Sequence, residues 1–166
     1  TAPIYQSNTE EQVFYIADQS DSVLVFVEDQ EQLDKMLAIW NQLPNIKKII
    51  VFDHYYPADL PNVYSLKSFI ELGREYGKTH ENQFEQLITS SQPDDLISFT
   101  YTSGTTGNPK AGMYTSRNII SCARELPKAI GVTREDFYVC FLPMAHIAER
   151  LVGHFIRLFT GHPAAF

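Results

Sequence analysis

Two short apolar runs separated by an amphipathic stretch constrain the fold of this chain more than any other feature. Val23–Val27 and Ile46–Phe52 are almost continuously apolar and rich in β-branched residues, which predicts parallel strands buried on both faces. Between them, an i, i+3, i+4, i+7 spacing predicts a helix that ends before Pro44, with Leu33, Met36, Leu37 and Trp40 on its apolar face. Together these segments predict a β-α-β unit with a right-handed crossover.

Helices and strands are predicted to alternate through the rest of the chain. Thr9 and Gln12 form a capping-box pattern at the start of a first helix that ends near Asp18, and Ser65 is placed to cap another helix. Strands are predicted at Leu96–Tyr101 and Phe137–Leu142; helices are predicted after Thr115 or Ser116, with Pro127 kinking or ending the helix, and after Pro143. The predicted fold class is therefore α/β, a layered and mostly parallel sheet flanked by helices.

Composition excludes several classes of protein. With 166 residues and 44% hydrophobic content the chain can build a core, and its formal charge of −7 argues against a nucleic-acid surface. No run of 18 apolar residues occurs, so no membrane span is predicted. His54 and His80 lie in polar stretches without partners at metal-ligand spacing, and no metal site is predicted. Cys122 and Cys140 lie in apolar segments, which predicts buried, reduced thiols.

A stretch rich in glycine and hydroxyl residues, Thr100–Lys110, follows the strand predicted at Leu96–Tyr101. Its glycines permit close backbone approach to a ligand, and its hydroxyls and Lys110 suit a polyphosphate. The stretch is not a Walker loop, because Gly104 and Gly107 are three residues apart and Ala111 follows Lys110. The residues alone leave two interpretations open, a phosphate-binding loop and a solvated loop of small polar residues.

A second polar cluster, Leu142–Arg150, also follows a predicted strand, at the sheet edge where open α/β folds bind ligands. Its spacing can bring His146, Glu149 and Arg150 onto one helical turn. The alternative is an ordinary helix start with a surface Glu/Arg pair.

Taken together, the two stretches carry a family resemblance. Tyr101–Lys110 closely resembles the phosphate-loop signature of the adenylate-forming superfamily of AMP-dependent synthetases and ligases, and Leu142–Arg150 resembles the next block as long-chain fatty-acid–CoA ligases carry it. Further residues continue the resemblance: Pro3-Ile4-Tyr5, Glu11-Gln12-Val13, Tyr15-Ile16, Val25–Glu28, Met113, Thr115, Arg117 and Asn118. Ala111 and Ser116 depart from it, standing where the family usually has Gly and often has His. Ala111 must therefore avoid positive φ if the loop is to keep its shape.

The resemblance implies a two-step reaction, in which a long-chain fatty acid and ATP form an acyl-adenylate and coenzyme A then forms a thioester, with Mg²⁺ as cofactor. It implies an ATP-phosphate site made of Thr102, Ser103, Gly104, Thr105, Thr106, Gly107 and Lys110. His146 would border the acyl and adenylate pocket, while Glu149 and Arg150 would shape its turn. No residue of this chain is assigned as catalytic.

The resemblance also implies that the chain is part of a larger N-terminal AMP-binding domain, with a β-α-β portion at 1–60 and a phosphate-loop portion at 94–166. The family's Tyr-Gly-x-Thr-Glu block, ribose-binding Asp and C-terminal catalytic Lys do not occur in this sequence. We therefore expect the chain to need the rest of a longer polypeptide and to be inactive alone. Two alternatives stay open, an acyl-adenylating enzyme with a non-CoA acceptor and a non-catalytic nucleotide-binding module. We expect a cytoplasmic protein with at most peripheral membrane association at the inner membrane surface.

Overall fold

The computed structural model describes residues 1–52, 60–102 and 108–165. The chain divides into two compact units, one formed by Gln6–Ser91 and the other by Thr1–Tyr5 together with Gln92–Phe166. The stretch 53–59, interpreted from sequence as loop and containing His54, lies outside the described residues. Within the described ranges, no helix combines the length and the apolar character needed to cross a bilayer.

In its described residues, the unit at Gln6–Ser91 is a parallel three-stranded sheet with four helices. Its strands, in the order β1-β2-β3, are β1 Leu24–Val27, β2 Lys48–Val51 and β3 Val63–Ser65. Its helices are α1 Glu10–Gln19, α2 Gln30–Ile39 followed by a 3-10 turn at Trp40–Gln42, α3 Leu66–Gly77 and α4 Gln83–Ser90. The β1-α2-β2 succession is the predicted β-α-β unit, and three successive residues of β2, Ile49, Ile50 and Val51, are fully buried.

The first strand departs from its prediction. Val27 is buried, but Leu24 and Phe26 of β1 are 41% and 48% exposed, so β1 is not buried on both faces. On the Phe26 side, the described residues supply ring contacts only from Phe52 and Phe69. The continuous apolar run therefore correctly predicted the strand, but the described residues cover less of it than the run predicted.

Helix starts in this unit follow the predicted caps. The Thr9 side chain accepts from the backbone N–H of Gln12, and the Gln12 side chain accepts from the backbone N–H of Thr9 at 3.0 Å, which completes the capping box of α1. Ser65 caps α3 through the backbone N–H of Ser68 at 3.1 Å. Strand β3, which ends at Ser65, was not predicted from sequence.

The second unit begins with an antiparallel hairpin and continues through a long helix. Its elements are β4 Leu96–Thr102, β5 Lys110–Thr115, α5 Ser116–Ile130, β6 Tyr138–Val139, a π-helical stretch Glu149–Ile156 that continues into α6 Arg157–Thr160, and β7 Ala164–Ala165. β4 and β5 are antiparallel, whereas β6 and β7 are parallel. Thr1 lies alongside β4, since its amine donates to the carbonyl of Ile97 and its own carbonyl accepts from the N–H of Phe99, both at 2.8 Å.

Three sequence predictions are corrected in this unit. Of the two outcomes predicted for Pro127, ending the helix is wrong, because α5 runs to Ile130, where Gly131 takes the left-handed conformation (φ 73°) that commonly ends helices. Among the described residues, the strand predicted at Phe137–Leu142 is formed at Tyr138–Val139, and the following helix is π-helical in its first turns. Cys122 is exposed on α5 and Cys140 is half-buried, so neither thiol is fully buried.

Candidate functional site

The glycine-containing segment is the connection of the β4–β5 hairpin. Thr102, the last residue of β4, lies opposite Lys110, the first of β5, and the Thr102 hydroxyl donates to the Lys110 carbonyl at 3.4 Å. Directly opposed residues of an antiparallel pair carry their side chains on the same face. Both residues are exposed, so a cation and a hydroxyl stand side by side at the base of the connection.

The predicted phosphate residues Ser103, Gly104, Thr105, Thr106 and Gly107 lie outside the described residues. Lys110 has no ion pair among the residues that the structure describes, which leaves its charge available to a ligand. Ala111 sits in regular strand β5, and the described non-glycine residues with positive φ are Asp21 and Asn62. Ala111 therefore avoids positive φ, as the family's loop shape requires.

A second capping box holds the exit of the hairpin against helix α5. The hydroxyl of Thr115 accepts from the backbone N–H of Asn118 at 3.3 Å, and the Asn118 side chain accepts from the backbone N–H of Thr115 at 3.1 Å. Of the two predicted caps, Thr115 rather than Ser116 takes the role. The strand that leaves the candidate phosphate segment is thus continuous with a defined helix start.

The entrance to β4 is fastened to the same helix start. Arg117 donates to both carboxylate oxygens of Asp94, at 2.9 and 3.1 Å, and its backbone N–H donates to the carbonyl of Pro93 at 2.8 Å. The hydrogen bond from Arg117, and secondarily its charge, hold the pKa of Asp94 below its usual value. Entry and exit of the hairpin are therefore both fixed by the first turn of α5.

The second predicted segment, Leu142–Arg150, forms a turn that leads into the π-helical stretch. The backbone N–H of His146 donates to the Pro143 carbonyl at 2.8 Å, and the N–H of Arg150 donates to the His146 carbonyl at 3.1 Å. The backbone N–H of Ala148 donates to Nδ1 of the His146 ring at 3.1 Å. Since Nδ1 acts as an acceptor, the neutral ring carries its proton on Nε2. His146 is exposed, so it presents this N–H donor at the surface of the unit.

Glu149, in contrast to the exposed His146, is buried. Its side chain is 1% exposed, and Oε2 accepts from the Tyr138 hydroxyl at 2.8 Å and, at a longer 3.4 Å, from the backbone N–H of Leu142. Its other oxygen, Oε1, is buried without a donor among the described residues. A Cβ added at Gly153 would stand 2.0 Å from Oε1, so the carboxylate occupies space that only glycine leaves free.

The buried carboxylate changes the ionisation of its neighbours. Burial, together with the bond to Glu149, raises the pKa of Tyr138 to about 12. Burial raises the pKa of the Cys140 thiol, and its interaction with the Glu149 carboxylate raises it further. Both neighbours therefore stay protonated near neutral pH and can donate hydrogen bonds to the carboxylate.

Arg150 does not form a surface pair with Glu149. Its guanidinium is half-buried, it donates to the hydroxyl of Thr1, and its Nε is buried without an acceptor among the described residues. Burial lowers the pKa of this guanidinium. The ordinary surface Glu/Arg pair, one of the two interpretations of this segment, is therefore wrong.

The structure thus places every described candidate residue in the unit containing Gln92–Phe166, with α5 packed against the π-helical stretch that follows His146. Sequence reasoning missed Tyr138 and Gly153, the partners that make the burial of Glu149 possible. A signal exists for Gly153, because Glu149, Gly153 and Ile156 are spaced by four and three residues and so share one helical face.

Comparisons with known proteins place this geometry in context. A family model described as AMP-binding enzyme matches residues 1–166. The long-chain-fatty-acid–CoA ligase ACSBG2 of Xenopus laevis is 32% identical over 167 residues, which cover 98% of this chain and 22% of that protein. The long-chain-fatty-acid–CoA ligase ACSBG1 of Homo sapiens is 35% identical over 152 residues, which cover 89% of this chain and 21% of that protein. The chain therefore spans about a fifth of the length of these curated relatives.

Solved structures show the same fold. The anthranilate CoA ligase AuaEII in complex with anthranoyl-AMP matches with a TM-score of 0.75 and 17% identity, over 98% of this chain and 29% of that chain. ATP-bound MatB from Rhodopseudomonas palustris matches with a TM-score of 0.68 and 18% identity, over 99% and 29%. The predicted α/β class, with a parallel sheet and flanking helices, is confirmed.

Proposed function

Because the chain belongs to the family of AMP-binding enzymes, we propose that it is part of a longer ATP-dependent long-chain-fatty-acid–CoA ligase. Its curated relatives bear that name, and the chain spans about a fifth of their length. The 94–166 portion would contribute the phosphate site and the 1–60 portion a β-α-β part of one AMP-binding domain. The remaining parts of the nucleotide site would come from the rest of the same polypeptide.

In the proposed reaction, a carboxylate oxygen of the fatty acid attacks the α-phosphorus of ATP, and the bond to the leaving pyrophosphate breaks. The thiol sulfur of coenzyme A then attacks the acyl carbonyl carbon, giving the thioester, AMP and a released proton. Charge develops on the pyrophosphate in the first step, so prearranged donors around the β- and γ-phosphates lower its barrier. Thr102, the Ser103–Gly107 segment and Lys110 would supply those donors.

The observation that carries this proposal is the pairing of Thr102 with Lys110 at the base of the hairpin. The pairing places an exposed cation and an exposed hydroxyl at one end of the glycine-containing segment. His146 would border the acyl-adenylate, with its Nε2–H directed to a substrate oxygen. The described residues contain no group of three or more His, Cys, Asp and Glu side chains suited to a metal ion.

Replacing the lysine in the full-length protein tests the proposal. We expect Lys110→Ala to lower kcat/KM for ATP by about 10²-fold in pyrophosphate exchange with a long-chain fatty acid. Fatty-acid binding should be unchanged, because Lys110 would contact only phosphates. Lys128→Ala is the matched control, since Lys128 is an exposed lysine on α5 of the same unit and pairs with Glu125.

Unchanged ATP kinetics in Lys110→Ala would contradict the phosphate assignment. Exchange with fatty acid but no thioester with coenzyme A would favour a different acyl acceptor, such as a carrier protein or a reductase. Absence of exchange with every acid tested in the wild-type protein would favour a nucleotide-binding module without the chemistry.

A further inference from the structure

Glu149 is a buried acidic residue, and a contribution to stability does not explain why it is there. Its carboxylate is 1% exposed and has no ion pair among the described residues. Burying a carboxylate without a cation is costly, and Oε1 lacks even a hydrogen-bond donor in the described part of the chain. An apolar side chain would fill this position at lower cost, so the carboxylate calls for a role beyond packing.

The hydrogen bonds of Glu149 close a loop in the chain. Its Oε2 accepts from Tyr138 on β6 and from the backbone N–H of Leu142, the residue that begins the turn. Glu149 itself ends that turn at the start of the π-helical stretch. One carboxylate oxygen therefore joins the first and last residues of Leu142–Glu149, and His146 stands exposed between them.

Inside that loop, the ring of His146 is fixed by a local contact. Nδ1 accepts from the backbone N–H of Ala148, the residue directly before Glu149. Movement of Glu149 would shift Ala148 and with it the orientation of the ring. The exposed histidine and the buried acid are thus linked through two successive residues of backbone.

Gly153 provides the space that the arrangement needs. An added Cβ would lie 2.0 Å from Oε1 of Glu149 and 2.8 Å from a ring carbon of Tyr138. Both partners of the hydrogen bond would have to move. Substitution of Gly153 therefore offers a way to displace the Glu149 carboxylate without altering it.

We propose that Glu149 is a positioning residue, which holds the Leu142–Glu149 turn so that His146 points at the acyl-adenylate. The expected effect on kinetics rests on the proposed function, whereas the effect of Glu149 on the turn does not. In this role Glu149 contacts no substrate. It acts through the bonds to Tyr138 and Leu142 and through His146.

A double-mutant cycle in the full-length protein tests the kinetic part. Glu149→Ala should lower kcat/KM for the fatty acid in pyrophosphate exchange by about 10- to 100-fold, with KM for ATP little changed. In a His146→Ala background the same substitution should cost less than about twofold, because the group it positions is already gone. An equal cost in both backgrounds, or a fully active His146→Ala protein, would overturn the inference.

Two further variants separate positioning from general damage. Glu149→Gln keeps an acceptor oxygen for Tyr138 and Leu142, so it should recover most of the activity lost in Glu149→Ala. Gly153→Ala should mimic Glu149→Ala and should add little to it in the double variant. A Glu149→Gln protein as impaired as Glu149→Ala would contradict a role based on hydrogen bonds.

Hydrogen exchange measured by mass spectrometry supplies a readout that needs no activity. Glu149→Ala should speed amide exchange across residues 142–148, whereas Glu149→Gln should leave it near the wild-type rate. Faster exchange in a protein that adenylates no fatty acid would support the positioning role and defeat the proposed function. Unchanged exchange in Glu149→Ala would overturn the positioning role whatever the activity.

Discussion

At the scale of a single residue, the tautomer of His146 is set by its own backbone. Because Nδ1 accepts from the N–H of Ala148 at 3.1 Å, a neutral ring can donate only from Nε2. Such a ring acts on an anionic substrate as a hydrogen-bond donor and has no free lone pair with which to act as a base. The two ring nitrogens can be separated by substitution, since a glutamine amide reaches the position of Nε2 and an asparagine amide that of Nδ1.

We therefore expect His146→Gln in the full-length protein to keep most of its fatty-acid adenylation, because its amide can donate where Nε2–H did. His146→Asn should lose about 10²-fold in kcat/KM for the fatty acid, since it cannot reach that position. Pyrophosphate exchange measures both, with melting temperatures as the control for folding. Greater activity in the asparagine variant would show that the Nδ1 position, rather than the Nε2 donor, is what the reaction uses.

At the scale of elements, the first turn of α5 fixes both ends of the candidate phosphate hairpin. Thr115 and Asn118 satisfy each other's backbone N–H groups, and Arg117 anchors the chain that enters β4. Helix ends leave backbone donors unpaired, so a capping side chain contributes directly to stability. These hydrogen bonds at the start of α5 hold both ends of the hairpin in place.

Thr115→Ala should accordingly lower the free energy of unfolding by about 1 kcal/mol. Thr115→Ser is the matched control, because it keeps the hydroxyl that accepts from Asn118, and it should stay close to the wild-type value. Chemical denaturation of the two variants beside the wild-type protein makes the comparison. Equal stability of the alanine and serine variants would show that the cap contributes nothing measurable.

Local patterns in the sequence predicted the elements whose causes are local. Thr9 with Gln12 and Ser65 before its helix were recognisable because a cap acts within three residues. Strand β3 at Val63–Ser65 was missed, since three residues carry no periodicity and its pairing with β2 depends on distant residues. The π-helical stretch was also missed, and so was the hydrogen bond between Tyr138 and Glu149, which joins residues eleven positions apart.

At the scale of the whole molecule, the candidate site was only partly readable from the sequence. The glycine-containing segment was recognisable in the sequence, because close backbone approach to phosphate requires particular residue types in a row. The burial of Glu149 was not predicted, since a glutamate is rarely buried without a partner and its partners come from elsewhere in the fold. The spacing of Glu149, Gly153 and Ile156 indicates that they share one helical face, but only the tertiary structure shows that this face is buried.

Several surfaces of the chain are apolar and uncovered. On α4, Phe84, Leu87 and Ile88 form a stripe at i, i+3 and i+4 and are 70%, 61% and 53% exposed. In the other unit, Phe141 is 76% exposed directly before the His146 turn. Exposed apolar patches of this kind are usually covered by a partner surface. Since the chain spans about a fifth of its relatives' length, we infer that the rest of the same polypeptide covers them.

The 166-residue chain produced alone should therefore bind a hydrophobic fluorescent dye more strongly, mole for mole, than the full-length protein. It should also give no pyrophosphate exchange with ATP and a long-chain fatty acid, because the proposed phosphate segment would hold only one end of the nucleotide. Adding Phe84→Ser and Leu87→Ser should reduce dye binding, which ties the signal to the α4 stripe rather than to unfolding. Robust exchange by the chain alone would contradict its proposed incompleteness, since a complete site would then lie within these residues.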